Sequence, residues 1–86
     1  MKASHILVET LEQATSLASQ ITAENFATLA SQYSRCPSSA RGGDLGEFGP
    51  GQMVKPFEDA VETITVGEIS QPVQTQFGFH LIHRTG

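Results

Sequence analysis

The two most strand-like segments of this chain lie near its opposite ends, and any fold must find room for both. Residues 3–8 (ASHILV) are apolar and rich in β-branched side chains, and residues 79–84 (FHLIHR) are again short, apolar and free of proline. Segments of that kind, bounded by turn residues, read as buried strands. A strand without proline can donate every ladder hydrogen bond, so both tolerate a central position, one beside the other. A third strand-like run, residues 69–74, contains Pro72, which has no N–H to give. That run therefore belongs at a sheet edge. Residues 45–48 form a short strand inside a turn-rich stretch, residues 34–51, which holds Cys36-Pro37 and the glycines 42, 43, 46, 49 and 51.

Helical spacing fills the remainder. Thr10 is a helix N-cap with Gln13 three residues on as its capping-box partner. Leu11, Ala14, Leu17, Ala18 and Ile21 then predict an amphipathic helix over 11–22. Phe26, Leu29, Ala30 and Tyr33 recur at i, i+3, i+4 and i+7, which predicts a second helix over 24–33. Pro56 suits the first turn of a third helix, whose apolar face is Phe57, Ala60, Val61 and Ile64. Gly67 and Gln76-Phe77-Gly78 mark turns. The order is β-α-α-β-α-β-β, an α+β sandwich of helices on a small sheet.

The 86 residues suffice for one domain, 1–86, around one core. With 16% charged and 38% hydrophobic residues the composition is globular. The net charge of −4 and a pI near 5.1 speak against nucleic acid or an anionic membrane as partner, since both need clustered Lys and Arg. No apolar run approaches the ~20 residues of a membrane span, and residues 1–8 lack the pattern of a signal peptide. The single Cys36 excludes an internal disulfide and fits a reducing, cytoplasmic location.

Four constellations compete for chemistry. The glycines match neither phosphate-loop spacing and read as tight turns. A metal site from His5, His80, His83 and Cys36 is disfavoured, because His80 and His83 lie three apart on a strand and face opposite ways. Cys36 has two histidines available but no orienting partner and no oxyanion hole that the sequence reveals, so it reads equally as a small buried thiol. His5 and His80 stand on the two strands expected to pair. Such a pair fixes its own tautomers by hydrogen bonding, and the residues alone leave open whether it acts on a substrate or serves packing.

Several separated motifs, in order, resemble the parvulin family over nearly the whole chain. They are Ala3-Ser4-His5-Ile6-Leu7, then Ser34-Arg35-Cys36-Pro37-Ser38 with Arg41-Gly42-Gly43-Asp44-Leu45-Gly46. Phe48 and the run from Gly51 to Phe57 (GQMVKPF) follow, then Val66-Gly67-Glu68-Ile69-Ser70, and finally Thr75-Gln76-Phe77-Gly78-Phe79-His80-Leu81-Ile82. The resemblance is greatest to the small stand-alone members. It implies a parvulin-like (FKBP-like) fold, a four-stranded antiparallel sheet surrounded by about four helices, with one short helix ahead of the second strand. It also implies cis/trans isomerisation of X-Pro bonds in polypeptide clients, by a monomer that uses no cofactor and no metal.

Matched position by position, the resemblance assigns His5, Cys36, Thr75 and His80 to the catalytic site. Leu45, Met53 and Phe57 would hold the proline ring, Phe48 and Phe77 would sit at the rim, and Gln52 would join the substrate-binding set. Rotation about an amide breaks no covalent bond, so a noncovalent, twisted-amide mechanism is expected. Phosphate-directed relatives carry a basic loop after the first strand. Here that loop holds Glu9 and Glu12 and no Lys or Arg, so no phosphate requirement before proline is expected.

Overall fold

The computed structural model describes residues 1–86. Its elements are β1 (Lys2–Val8), α1 (Leu11–Ala18), α2 (Phe26–Tyr33), a 3-10 turn (Pro37–Arg41), β2 (Asp44–Glu47), α3 (Lys55–Thr63), β3 (Val73–Thr75) and β4 (Gly78–Arg84). The short helix expected before β2 is thus a 3-10 turn rather than an α-helix. The sheet is antiparallel in the order β2-β1-β4-β3, with the proline-free strands β1 and β4 in the centre and the strand after Pro72 at the edge.

Period-two alternation splits β1 and β4 between two faces. Ile6, Val8 and Leu81 point one way and pack with Ala14 and Leu17 of α1 and Phe26 and Ala30 of α2. Ala3 and Ile82 point the other way and pack with Phe48 and with Phe57 and Val61 of α3. The apolar interior therefore comes as two clusters, one on each side of the sheet, where the sequence predicted one core. A central sheet with helices on both faces cannot make them continuous.

Three elements are shorter than predicted, for local reasons. Helix α1 stops at Ala18 instead of reaching residue 22. The Ser19 hydroxyl donates to Ser16 O at 2.7 Å, Thr22 N–H donates to Asn25 Oδ1 at 2.7 Å, and the Asn25 amide donates to Gln20 O at 3.0 Å. These side-chain bonds give the backbone a turn in place of another helical turn. Helix α2 then starts at Phe26 with Asn25 as its N-cap. The predicted strand 69–74 shrinks to Val73–Thr75, leaving Ile69 with one isolated bridge to His83, because Pro72 interrupts the ladder between them. The capping box forms as expected: Gln13 N–H donates to Thr10 Oγ1 at 3.2 Å and Thr10 N–H to Gln13 Oε1 at 3.3 Å.

Candidate active site

His5 lies opposite Ile82 and His80 opposite Leu7 in the β1–β4 ladder, so the two histidines are diagonal neighbours on the α3 face. Their Nδ1 atoms are 2.9 Å apart, both side chains are buried, and the rings stack with centroids 5.1 Å apart and planes inclined by 18°. On its other side, His80 Nε2 lies 2.7 Å from Thr75 Oγ1, which also receives Phe77 N–H at 3.2 Å. Thr75 owes its place to the tight β3–β4 turn, where it pairs with Gly78. Gly78 has φ +138, and a side chain there would strike Val8 O at 2.5 Å.

Both imidazoles are lowered from the ordinary 6.5 to about 4, His80 by burial and His5 by burial first and the neighbouring His80 second. Both rings are therefore neutral at pH 7. A neutral imidazole carries one N–H, so between the two Nδ1 atoms one donates and the other accepts. If the Thr75 hydroxyl donates to His80 Nε2, His80 donates to His5 and the last proton sits on His5 Nε2. In the reverse arrangement His5 donates to His80, and His80 donates to Thr75. The relay ends in either case on His5 Nε2, a buried nitrogen with no protein partner.

Phe57, from the first turn of α3, holds this pair in place. Its ring meets His5 edge-on at 5.6 Å and 82°, and His80 at 5.3 Å and 81°. Phe48 packs behind it at 6.2 Å and is only 5% exposed. The expected rim position of Phe48 is thus corrected: its N–H is bonded to Met1 O at 2.8 Å, which turns the ring inward into the α3-side cluster. Phe77, by contrast, is 61% exposed at the mouth of the site.

Cys36 reaches the same place by another route. The Ser34 hydroxyl accepts Leu7 N–H at 3.0 Å and Cys36 N–H at 3.4 Å, while Arg35 N–H donates to Leu7 O at 2.8 Å. These bonds fasten the loop after α2 to the end of β1 and bring the partly exposed Cys36 thiol to the site. Gly43 backs the strand. Its carbonyl accepts His5 N–H at 2.9 Å, it has φ +83, and a Cβ there would lie 2.3 Å from His5 O.

Around these groups opens a cleft of about 480 Å³. His5, His80, Cys36, Leu45, Gln52, Met53, Phe57 and Phe77 all line it, so the structure brings together eight of the ten residues that the sequence singled out. Thr75 stands behind His80 and touches the cleft only through it, and Phe48 stands behind Phe57. Leu7, Arg35, Pro37 and Val54 complete the wall without having been singled out. An apolar residue or a loop arginine carries no signal of its own in a sequence, and neither does the Ser34 hydroxyl that positions Cys36. Gln52 is partly committed, since its Oε1 accepts Gly49 N–H at 2.7 Å, and Glu58 Oε1 accepts Gly51 N–H at 2.8 Å. Both bonds pin the loop that carries Met53. His83 lies on the opposite face against Phe26, 5.4 Å away, and no three His, Cys, Asp or Glu side chains converge to hold a metal.

An apolar cleft over two neutral, mutually bonded imidazoles on the central strands of this sheet defines a peptidyl-prolyl isomerase domain. The chain belongs to the parvulin family: the family model for the rotamase, PPIC-type PPIase domain matches residues 5–86. Among curated relatives, the foldase protein PrsA of Geobacillus sp. (strain WCH70) is 51% identical over 99% of this chain and 32% of its own length. The structure of peptidylprolyl isomerase (PrsA) from Bacillus anthracis superposes with a TM-score of 0.97 at 42% identity, covering all of this chain and 41% of the other. NmPin, the parvulin of Nitrosopumilus maritimus, gives a TM-score of 0.86 at 43% identity, over 100% of this chain and 95% of that one. The chain thus spans about a third of the length of the PrsA relatives it matches. No helix is long and apolar enough to cross a membrane.

Proposed function

We propose that this chain catalyses cis/trans isomerisation of X-Pro bonds in polypeptides by a noncovalent route through a twisted amide. The observation that carries this reading is the apolar wall of Leu45, Met53 and Phe57 set against the His5–His80 pair. Amide resonance raises a barrier of ~18–20 kcal/mol to rotation and separates charge in the planar form. A proline ring held on an apolar wall takes the planar amide out of water, which stabilises the planar form more than the twisted one. Met53 adapts its shape to the ring and Phe57 offers it a flat face. The neutral relay of Thr75, His80 and His5, with the Cys36 thiol, supplies hydrogen-bonding groups around the rotating bond and no formal charge. An acceleration of about 10⁵-fold needs roughly 7 kcal/mol of such selective stabilisation.

The connection after β1 holds Glu9, the first turn of α1 holds Glu12, and no basic residue stands between β1 and the end of α1, which supports a lack of any phosphate requirement before the proline. The foldase name of the PrsA relatives favours proline-containing polypeptide clients. The reading includes a monomer, since the exposed large apolar side chains Leu11, Tyr33, Val66 and Phe77 are spread over α1, α2, the α3–β3 connection and the β3–β4 turn. It includes a cytoplasmic location, supported by the single unpaired Cys36.

A protease-coupled assay on a proline tetrapeptide is the deciding experiment. Acceleration of the cis-to-trans step, lost in a His80→Asn variant that still folds, is expected. Peptide binding without acceleration would replace the isomerase reading with that of a holding chaperone. Matched Ser-Pro and phosphoSer-Pro peptides should give similar kcat/KM, and a large gain with phosphate would refute phosphate indifference.

A further inference from the structure

Arg35 is the only Lys or Arg on the wall of the cleft, and no Asp or Glu lines it. With both histidines neutral, one guanidinium sets the charge that a bound peptide meets. That guanidinium is already engaged: Glu9, the residue after β1, forms an ion pair with it. The two side chains are 62% and 64% exposed, so water screens the pair and it opens readily. A carboxylate on a peptide in the cleft offers the same planar fork the same geometry, and so competes with Glu9 directly. The backbone places the two reliably even so, because Arg35 N–H is tied to Leu7 O two residues before Glu9.

Resting on the isomerase reading above, we propose that Arg35 reads the side chain preceding the substrate proline and that Glu9 masks it. In the native chain the mask levels the preference, so acidic and neutral residues before proline are accepted alike. Without Glu9, Arg35 selects an acidic residue at that position. The pair thereby determines specificity and takes no part in the rotation itself.

The test compares otherwise identical peptides with Ala or Glu before proline, at low ionic strength. Both kcat/KM and the Kd from NMR titration are measured for the native chain, Glu9→Gln and the double variant Glu9→Gln/Arg35→Gln. Only the Glu:Ala ratio within each protein is used, so a general loss of activity cancels. The ratio should rise about two- to fivefold in Glu9→Gln, the size of an exposed ion pair, and vanish again in the double variant. The double variant restores the net charge of −4, which separates Arg35 from a general field. An unchanged ratio in Glu9→Gln overturns the proposal, as does a raised ratio that survives loss of Arg35. If the native chain binds both peptides but isomerises neither, the isomerase reading falls and the Kd ratios still decide on Arg35.

Discussion

His5 Nδ1 and His80 Nδ1 face each other at 2.9 Å in a buried site with room for one proton between them. A second proton would set one N–H against another, and a cation there has little water to stabilise it. The pair is therefore built to stay neutral, and its protonation is linked to folding.

The first prediction follows from that linkage. Both histidines are lowered from 6.5 to about 4, so between those values the unfolded chain binds more protons than the folded one. Stability from this source is full above pH 6.5 and is lost as pH falls toward about 4. Urea unfolding should show a loss of about 1–2 kcal/mol between pH 7 and pH 5.5, reduced in a His5→Asn variant. Isomerase kcat/KM should stay level down to about pH 5 and fall below it. A profile that falls with a midpoint near 6.5 would mean that the imidazoles titrate as exposed groups do.

Cys36 should be dispensable as a nucleophile. Its thiol is held beside the site through the Ser34 hydroxyl, but no base is hydrogen-bonded to it. Cys36→Ala should keep kcat/KM within about tenfold, whereas loss of a true nucleophile removes several orders of magnitude. Trapping an acyl-enzyme by mass spectrometry would contradict the noncovalent route.

Glu58 positions the substrate loop without touching the cleft. Its Oε1 is the partner of Gly51 N–H, two residues before Met53. Glu58→Ala should raise KM severalfold with kcat nearly intact, because a looser loop weakens binding in the ground and transition states alike. Glu58→Gln keeps an amide oxygen for the same bond and should restore KM. Equal losses in kcat from both variants would mean that Glu58 acts by its charge.

Gly43→Ala should be far more damaging than its size implies. The residue has φ +83, and the added methyl would lie 2.3 Å from His5 O. Either β1 shifts or the Gly43 to His5 hydrogen bond breaks. A stability loss of about 2–4 kcal/mol is expected on both counts, with kcat/KM lowered in the fraction that folds. Gly46, whose Cβ position is open, is the control: its φ of +71 adds backbone strain without contact.

The order of elements and the sheet's centre and edge were legible because they follow from proline placement and hydrophobic period. β1 and β4 took the centre, and Pro72 sent β3 to the edge. Lengths were less legible. The end of α1 depends on hydroxyl and amide side chains of Ser19, Thr22 and Asn25, which suit a helix surface and a turn almost equally. In the site, the meeting of His5 and His80 came from register. The inward turn of Phe48 did not, because an aromatic residue after an edge strand has the same sequence signature at a rim as in a core. The Glu9–Arg35 pair was hidden for a further reason: its partners lie on different loops, and Glu9 alone reads only as an absence of basic charge.

The histidine pair joins residues 75 apart in sequence, on the strands nearest the two ends of the chain. Closing a loop of that size costs entropy before the contact returns anything, so this pairing belongs late in folding. A chain emerging from the ribosome carries its Cys36 loop and its apolar wall well before it carries His80. The site therefore stays unassembled until β4 docks, and the arrival of catalytic competence marks the completion of the sheet.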